Sequence, residues 1–164
     1  MNLNEGNYRQ YDLDWFFVAG DKLCHAASAG GNLPGLFISV LDKYLSIVQI
    51  IANMSSAFQV ETNPFVTELL NGEDNEIGMR MYLTTFKGMA SKGFYSFDRK
   101  NLRNPESNEY VLVASPVVSD EQFDEYQIRI SLLKGILPQA DELPLDCDDI
   151  NLIDHINLNS LNNL

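Results

Sequence analysis

A chain of 164 residues with 45% hydrophobic and 10% aromatic content is one domain's worth of foldable protein, long enough to bury roughly two-thirds of its unfolded surface. That composition excludes general disorder and collagen-like or low-complexity chains, and two cysteines exclude a disulfide scaffold and a four-thiolate zinc site. A formal charge of −12 excludes sequence-independent binding to nucleic acid, which needs a basic footprint.

The polar start, residues 1–11, has no apolar run, so no secretory signal is expected. The longest apolar stretch, Leu33 to Met54, carries Asp42 and Lys43 near its middle, so it reads as a buried helix and not a membrane span. A cytoplasmic location follows as the expectation, with Cys24 and Cys147 reduced. Charge is unevenly placed: residues 1–104 hold 11 acidic and 9 basic side chains, whereas residues 105–164 hold 12 acidic and 2 basic ones, Arg129 and Lys134. The second segment is either a solvated surface or a docking face for a basic partner.

In chain order, Asp12 to Val18 reads as a strand covered on both sides, because Leu13, Trp15 and Phe17 face one way and Phe16 and Val18 the other. Gly20-Asp21 is a turn, and Lys22 to Ala27 the returning strand. Ser28 to Asn32 is a break, after which Pro34 opens an apolar helix reaching Met54, expected at the centre of the core. A short helix over Pro64 to Leu70 and a longer one over Glu76 to Lys92 follow, the second closed by Gly93. Phe94 to Asp98 and Glu109 to Ala114 form a second hairpin across a polar loop. Ser119 and Gln122 form a capping-box pattern for a helix with Phe123, Tyr126, Ile130, Leu133 and Leu137 on its inner face and Pro138 at its end. A last short helix is expected over about residues 148–158.

The order β-β-α-α-α-β-β-α-α predicts an α+β domain: a small antiparallel sheet of two hairpins against four to five helices, the apolar helix near 34–54 central. The domain proper spans 12–140, between a polar segment 1–11 and an acidic C-terminal extension 141–164.

No residue pattern carries a catalytic signature, and none calls for a cofactor or a metal. Cys24 and His25 are adjacent on a strand and therefore point to opposite faces. The Ser28-Ala29-Gly30-Gly31 turn lacks the spacing of a phosphate-binding loop. The run Asp146, Asp148, Asp149, Asp154 and His155 lacks the central glycine and closing glutamate of a calcium loop. Trp15 is core or an interface anchor.

The block Tyr11-Asp12-Leu13-Asp14-Trp15-Phe16-Phe17, followed by Gly20, Asp21, His25 and Ser28 to Pro34, resembles the opening of a group of small uncharacterised bacterial proteins. Tyr110 to Pro116 looks like a second block of the same group, and the likeness implies a shared fold. In size, acidity and lack of catalytic residues the chain also resembles immunity proteins of bacterial toxin systems. That resemblance implies a non-enzymatic module that blocks a basic toxin by steric and electrostatic occlusion. The residues expected to carry it are Asp120, Glu121, Asp124 and Glu125, with Asp141, Glu142, Asp146, Asp148 and Asp149. The alternative is a small-molecule binder or small enzyme built on Asp14, His25, Ser28 and Gly30-Gly31. Neither reading involves nucleic acid or a membrane.

Overall fold

The computed structural model describes residues 8, 11–31, 33–34, 41–64, 66, 76–101, 104, 107–140 and 150–151. The elements run β1 (Asp14–Ala19), β2 (Lys22–Ala27), a 3-10 turn (Leu41–Lys43) leading into α1 (Tyr44–Ala52), β3 (Gln59–Thr62), α2 (Glu76–Ser91), β4 (Phe94–Arg99), β5 (Glu109–Val117), a second 3-10 turn (Asp120–Gln122) leading into α3 (Phe123–Lys134), β6 (Gln139–Ala140) and β7 (Ile150–Asn151).

Both expected hairpins form, but the sheet is larger and mixed. Six strands follow in the order β3-β5-β4-β2-β1-β6, and the two-residue β7 pairs with β5 as a seventh. Within each hairpin the strands are antiparallel; the hairpins meet along a parallel seam of β2 and β4, and β6 runs parallel to β1. β4 occupies one edge of β5, so β3 at Ala114–Val117 and β7 at Glu109–Tyr110 share the other.

The expectation of a two-hairpin antiparallel sheet under four to five helices is thus corrected: the sheet is mixed, and three complete α-helices lie among the described residues. β3 escapes a sequence reading because four residues with alternate ones exposed give little apolar signal. β6 and β7 are two residues each, too short for any periodicity. The helix expected over 34–54 begins only at Tyr44, after the 3-10 turn, and residues 35–40 fall outside the described set. It is also not apolar core all round: Ile47 and Ile51 are buried, whereas Leu45 and Ile50 face solvent. Ile150 and Asn151 pair as a strand where a helix over 148–158 was expected. Of the short helix over 64–70, Pro64 and Val66 are helical and the others lie outside the described residues.

Alternation then sorts the sheet into two buried faces. On the first, Phe16, Val18, Leu23 and Phe94 pack with Ile47 and Ile51 of α1 and Tyr126, Ile130 and Leu133 of α3. Farther along it, Val111, Val113 and Ala114 receive Phe86 and Ala90 of α2, so all three helices contribute to this face. The second face carries Trp15, Phe17, Cys24, Ala26, Phe97 and Tyr110, packed with Tyr8, Leu13, Leu33, Leu41 and Tyr44, so the start of α1 reaches this face as well. Both faces of β1 are buried, as its two-sided apolar pattern requires.

Polar side chains join the helices. Lys92 Nζ donates to the carbonyls of Ile51 and Ala52 at 2.9 Å each, placing a cation on the C-terminal end of α1. The capping box at Ser119 is replaced: its Oγ bonds Gln122 Oε1 at 3.2 Å, and Gln122 Nε2 donates to the Ala57 carbonyl at 2.6 Å. None of the described helices is long and apolar enough to cross a membrane.

Candidate functional site

Two buried polar clusters lie on opposite faces of the seam between β2 and β4. On the helix-covered face, His25 is fully buried between Phe16 and Phe86, with ring centroids 5.3 and 6.1 Å away. The parallel register sets His25 beside Ser96, and its Nδ1 lies 2.6 Å from Ser96 Oγ. Asp14 Oδ1 stands 3.4 Å from His25 Nε2 at the rim of the sheet, outside hydrogen-bond geometry. Two residues along β4, Asp98 accepts from Tyr82 Oη at 2.6 Å and from the Arg99 amide at 2.8 Å. Burial pushes the Asp98 carboxyl above the usual carboxylate range, against the lowering effect of those two hydrogen bonds. Burial likewise raises the Tyr82 phenol, helped by the Asp98 charge.

Asp14, His25 and Ser96 have the residue types of a hydrolytic triad. Ser96 and His25 are both completely buried, however, so no substrate carbonyl reaches the hydroxyl in this arrangement. The structure brings Asp14 to His25 but sends Ser28 and the Gly30-Gly31 turn elsewhere. Ser28 Oγ accepts from the Leu13 amide at 3.1 Å and closes the end of the first hairpin. Gly31 lies against Arg99 on the second face. Cys24 also faces that side, across from Phe17, and burial raises its thiol well beyond ordinary cysteine.

The second cluster centres on Arg99, which is 2% exposed. Its Nη1 donates to the Asn104 carbonyl at 3.2 Å, while Nε and Nη2 meet full hydrogen-bond geometry with none of the described residues. Across the strand pair, the Tyr110 hydroxyl is buried beside the Arg99 guanidinium and the Trp15 indole. Burial raises the Tyr110 phenol, and nearby Arg99 opposes that rise. A second buried arginine among the described residues, Arg129, is held by both terminal nitrogens. It donates to the Ser55 and Lys92 carbonyls at 2.9 Å each, bonds Ser55 Oγ and Glu125, and lies 4.9 Å from the Phe58 ring centre.

A third feature is the outer side of α3. Asp124, Ile128 and Leu132 succeed one another at intervals of four residues, so they share a face. Ile128 and Leu132 are 60% and 70% exposed, and Phe123 and Ile136 add exposed apolar surface at the helix ends. Phe123, expected on the inner face, is thus outside. Asp120, Glu121, Asp124 and Glu125 are all exposed at the start of this helix. Glu125 pairs with Arg129; the other three make no ion pair with a described residue. Asp141, Glu142, Asp146, Asp148 and Asp149 lie outside the described residues. Among the described residues, no group of three or more His, Cys, Asp or Glu is placed to hold a metal ion.

Sequence reasoning missed Ser96, Asp98, Tyr82, Arg99 and Tyr110. Ser96 and Asp98 alternate with Phe97, a pattern that elsewhere marks a solvent-facing side of a strand. Arg99 and Tyr110 fall at the ends of strands, where polar residues are ordinary. Comparison with family models, curated proteins and solved structures finds no match for this chain. Its own residues therefore carry the functional argument.

Proposed function

We propose that the protein is a non-enzymatic binding module that docks a basic protein partner, with α3 as the docking element. One observation carries this reading: an apolar ridge, Ile128 and Leu132, stands exposed beside the carboxylates of Asp120, Glu121 and Asp124. Apolar side chains at the centre of an interface supply affinity, and charges at its margin supply steering and partner choice. A partner with an apolar pocket framed by Lys and Arg fits this surface. Both polar clusters on the sheet are closed to solvent, which favours binding over catalysis. The best-fitting role is that of an immunity protein acting in the cytoplasm: it covers the active site of a basic toxin, and its carboxylates take the place of substrate phosphates. The acidic segment 141–149 extends the same charge sign in sequence.

Parallel affinity capture on three forms of the chain tests this. The forms are the native protein, a charge-neutralised Asp120→Asn/Glu121→Gln/Asp124→Asn variant and an Ile128→Ser/Leu132→Ser variant. The expected outcome is a basic protein held by the native chain at low salt, lost in both variants and weakened at about 0.5 M salt, where charge attraction is screened within a few ångströms. Equal retention of the same protein by native chain and variants sinks the reading.

A further inference from the structure

We propose that a second copy of this chain covers the outer face of α3, and that α2 of that copy is the element seated on it. This rests on the reading of α3 as a docking element and names one occupant for it. The outer face of α2 supplies the reason. Ile77 and Met81 lie one helical turn apart and are 71% and 72% exposed, more than any other large hydrophobic residue described. Neighbouring apolar side chains left in water mark a contact surface. The charged residues of α2 from Ile77 to Ser91 are Arg80 and Lys87, both exposed and neither in an ion pair with a described residue. A chain of formal charge −12 thus carries one helix whose outer face is apolar and basic. The outer face of α3 is apolar and acidic: Ile128 and Leu132 at the same four-residue interval, beside Asp120, Glu121 and Asp124. The two faces are complementary in both respects.

Their spacing selects an antiparallel pairing. With Met81 opposite Ile128, Ile77 falls opposite Leu132, because both apolar pairs are separated by about 6 Å of helix rise. The same register brings Lys87 to the stretch between Glu121 and Asp124. Run parallel, the same apolar match carries Lys87 past Lys134 and leaves the carboxylates without a cation. Both helices pack on the same face of the sheet, so a two-fold axis lets each copy give its α2 to the other's α3, and the two contacts close the pair. α1 contributes to that face too. It has no charged residue from Tyr44 to Ala52 and exposes Leu45 and Ile50, so it brings apolar surface and no like charge to the contact. Apolar side chains flanked by opposite charges are the composition of a specific interface. The pair is the resting form of the protein, and a basic partner gains α3 by displacing the second copy.

Sedimentation of the pure full chain, with no other protein present, tests the pairing. The mass is expected to rise from that of one chain towards that of two as concentration increases through the micromolar range, and to fall back at about 0.5 M salt. Arg80→Glu/Lys87→Glu gives α2 the sign of α3, and Glu121→Lys/Asp124→Lys gives α3 the sign of α2. Each variant alone is expected to lose at least about tenfold in self-affinity, because like charges then face each other. An equimolar mixture of the two restores the dimer, since both contacts of the mixed pair again join opposite charges; misfolded chains would show no such rescue. Ile77→Ser/Met81→Ser changes exposed side chains alone and is expected to stay monomeric, which keeps the test open should a charge variant fail to fold. A native chain that stays monomeric overturns the pairing and leaves α2 to an acidic protein of another kind, while capture of a basic partner is decided by its own experiment. A dimer indifferent to all the variants, growth beyond two copies, or a mixture without rescue also overturns it. A dimer that passes every arm in a chain that captures no basic protein supports the pairing and removes the partner.

Discussion

The Arg99 guanidinium lies so close over Gly31 that a methyl group on that α-carbon would sit 1.9 Å from Nη2. The displaced group is itself packed and buried, so it has little room to give way. Gly31→Ala is therefore expected to cost about 1–3 kcal/mol, the usual range for overpacking. Urea denaturation checks this; an unchanged midpoint would mean that the guanidinium relocates freely.

Gly93 and Gly88 should respond to alanine with opposite signs. Gly93 follows the end of α2 at φ +103°, and a Cβ there would come within 3.1 Å of Phe58 and 3.2 Å of Tyr126. Gly88 lies inside α2 with nothing within 4 Å of its added Cβ. Gly93→Ala should lose about 1–3 kcal/mol, while Gly88→Ala should gain roughly 0.5–1 kcal/mol from helix propensity. Chemical denaturation of the two variants side by side reads both.

Arg129 ties the segment after α1 to the end of α2 and to α3. Arg129→Met strands the Ser55 and Lys92 carbonyls and should destabilise by about 2–4 kcal/mol. Glu125→Gln removes only the half-exposed partner on the same helix and should change stability by less than about 1 kcal/mol. A loss for Glu125→Gln as large as for Arg129→Met would place the energy in the ion pair and not in the carbonyl contacts.

Asp98 makes stability depend on pH with a definite sign. Its folded pKa lies above the unfolded value of about 3.9, so between the two the folded chain holds more protons than the unfolded one. The stabilisation is complete below the unfolded value and is lost as pH rises through the folded one. Asp98→Asn removes this titration while keeping groups that can bond Tyr82 and the Arg99 amide. The native chain minus the variant should therefore lose stability upward from about pH 4. Stability curves that run parallel across that window would contradict the assignment.

Cys24 is buried and its thiol is raised by desolvation, so it should be inert in the folded chain. Alkylation followed by peptide mapping separates it from Cys147. Modification of Cys24 should proceed only as fast as the chain unfolds, and faster labelling would place it on a mobile part of the sheet.

What the sequence made legible follows the length and polarity of each element. The hairpin of β1 and β2 was readable from the two-sided apolar run at Trp15 to Val18 and the Gly20-Asp21 turn. α2 was readable through its stop at Lys92 and Gly93. β3 was not, because Gln59 and Glu61 at the sheet margin look like a loop. The parallel seam was hidden for another reason: pairing of Leu23 with Phe94 is set by everything between them, and no local pattern encodes it. The polar clusters were hidden because burial, not residue type, gives Ser96 and Arg99 their interest. Asp14, His25, Ser28 and Gly30-Gly31 were grouped by nearness in sequence; that Asp14 approaches His25 while Ser28 bonds the Leu13 amide and Gly31 lies against Arg99 follows only from the path of the chain.

The parallel seam also fixes an order of events in folding. Each hairpin closes locally, across a turn or a short loop, but the bond between His25 and Ser96 spans 71 residues. During synthesis the first hairpin is complete long before β4 exists, and Phe16, Val18 and Leu23 wait without β4 and α3, which complete their burial. Closing the seam is the late, entropically demanding step. The nascent chain is therefore most exposed to misassociation in the interval between β2 and β4, while the centre of its sheet is only half built.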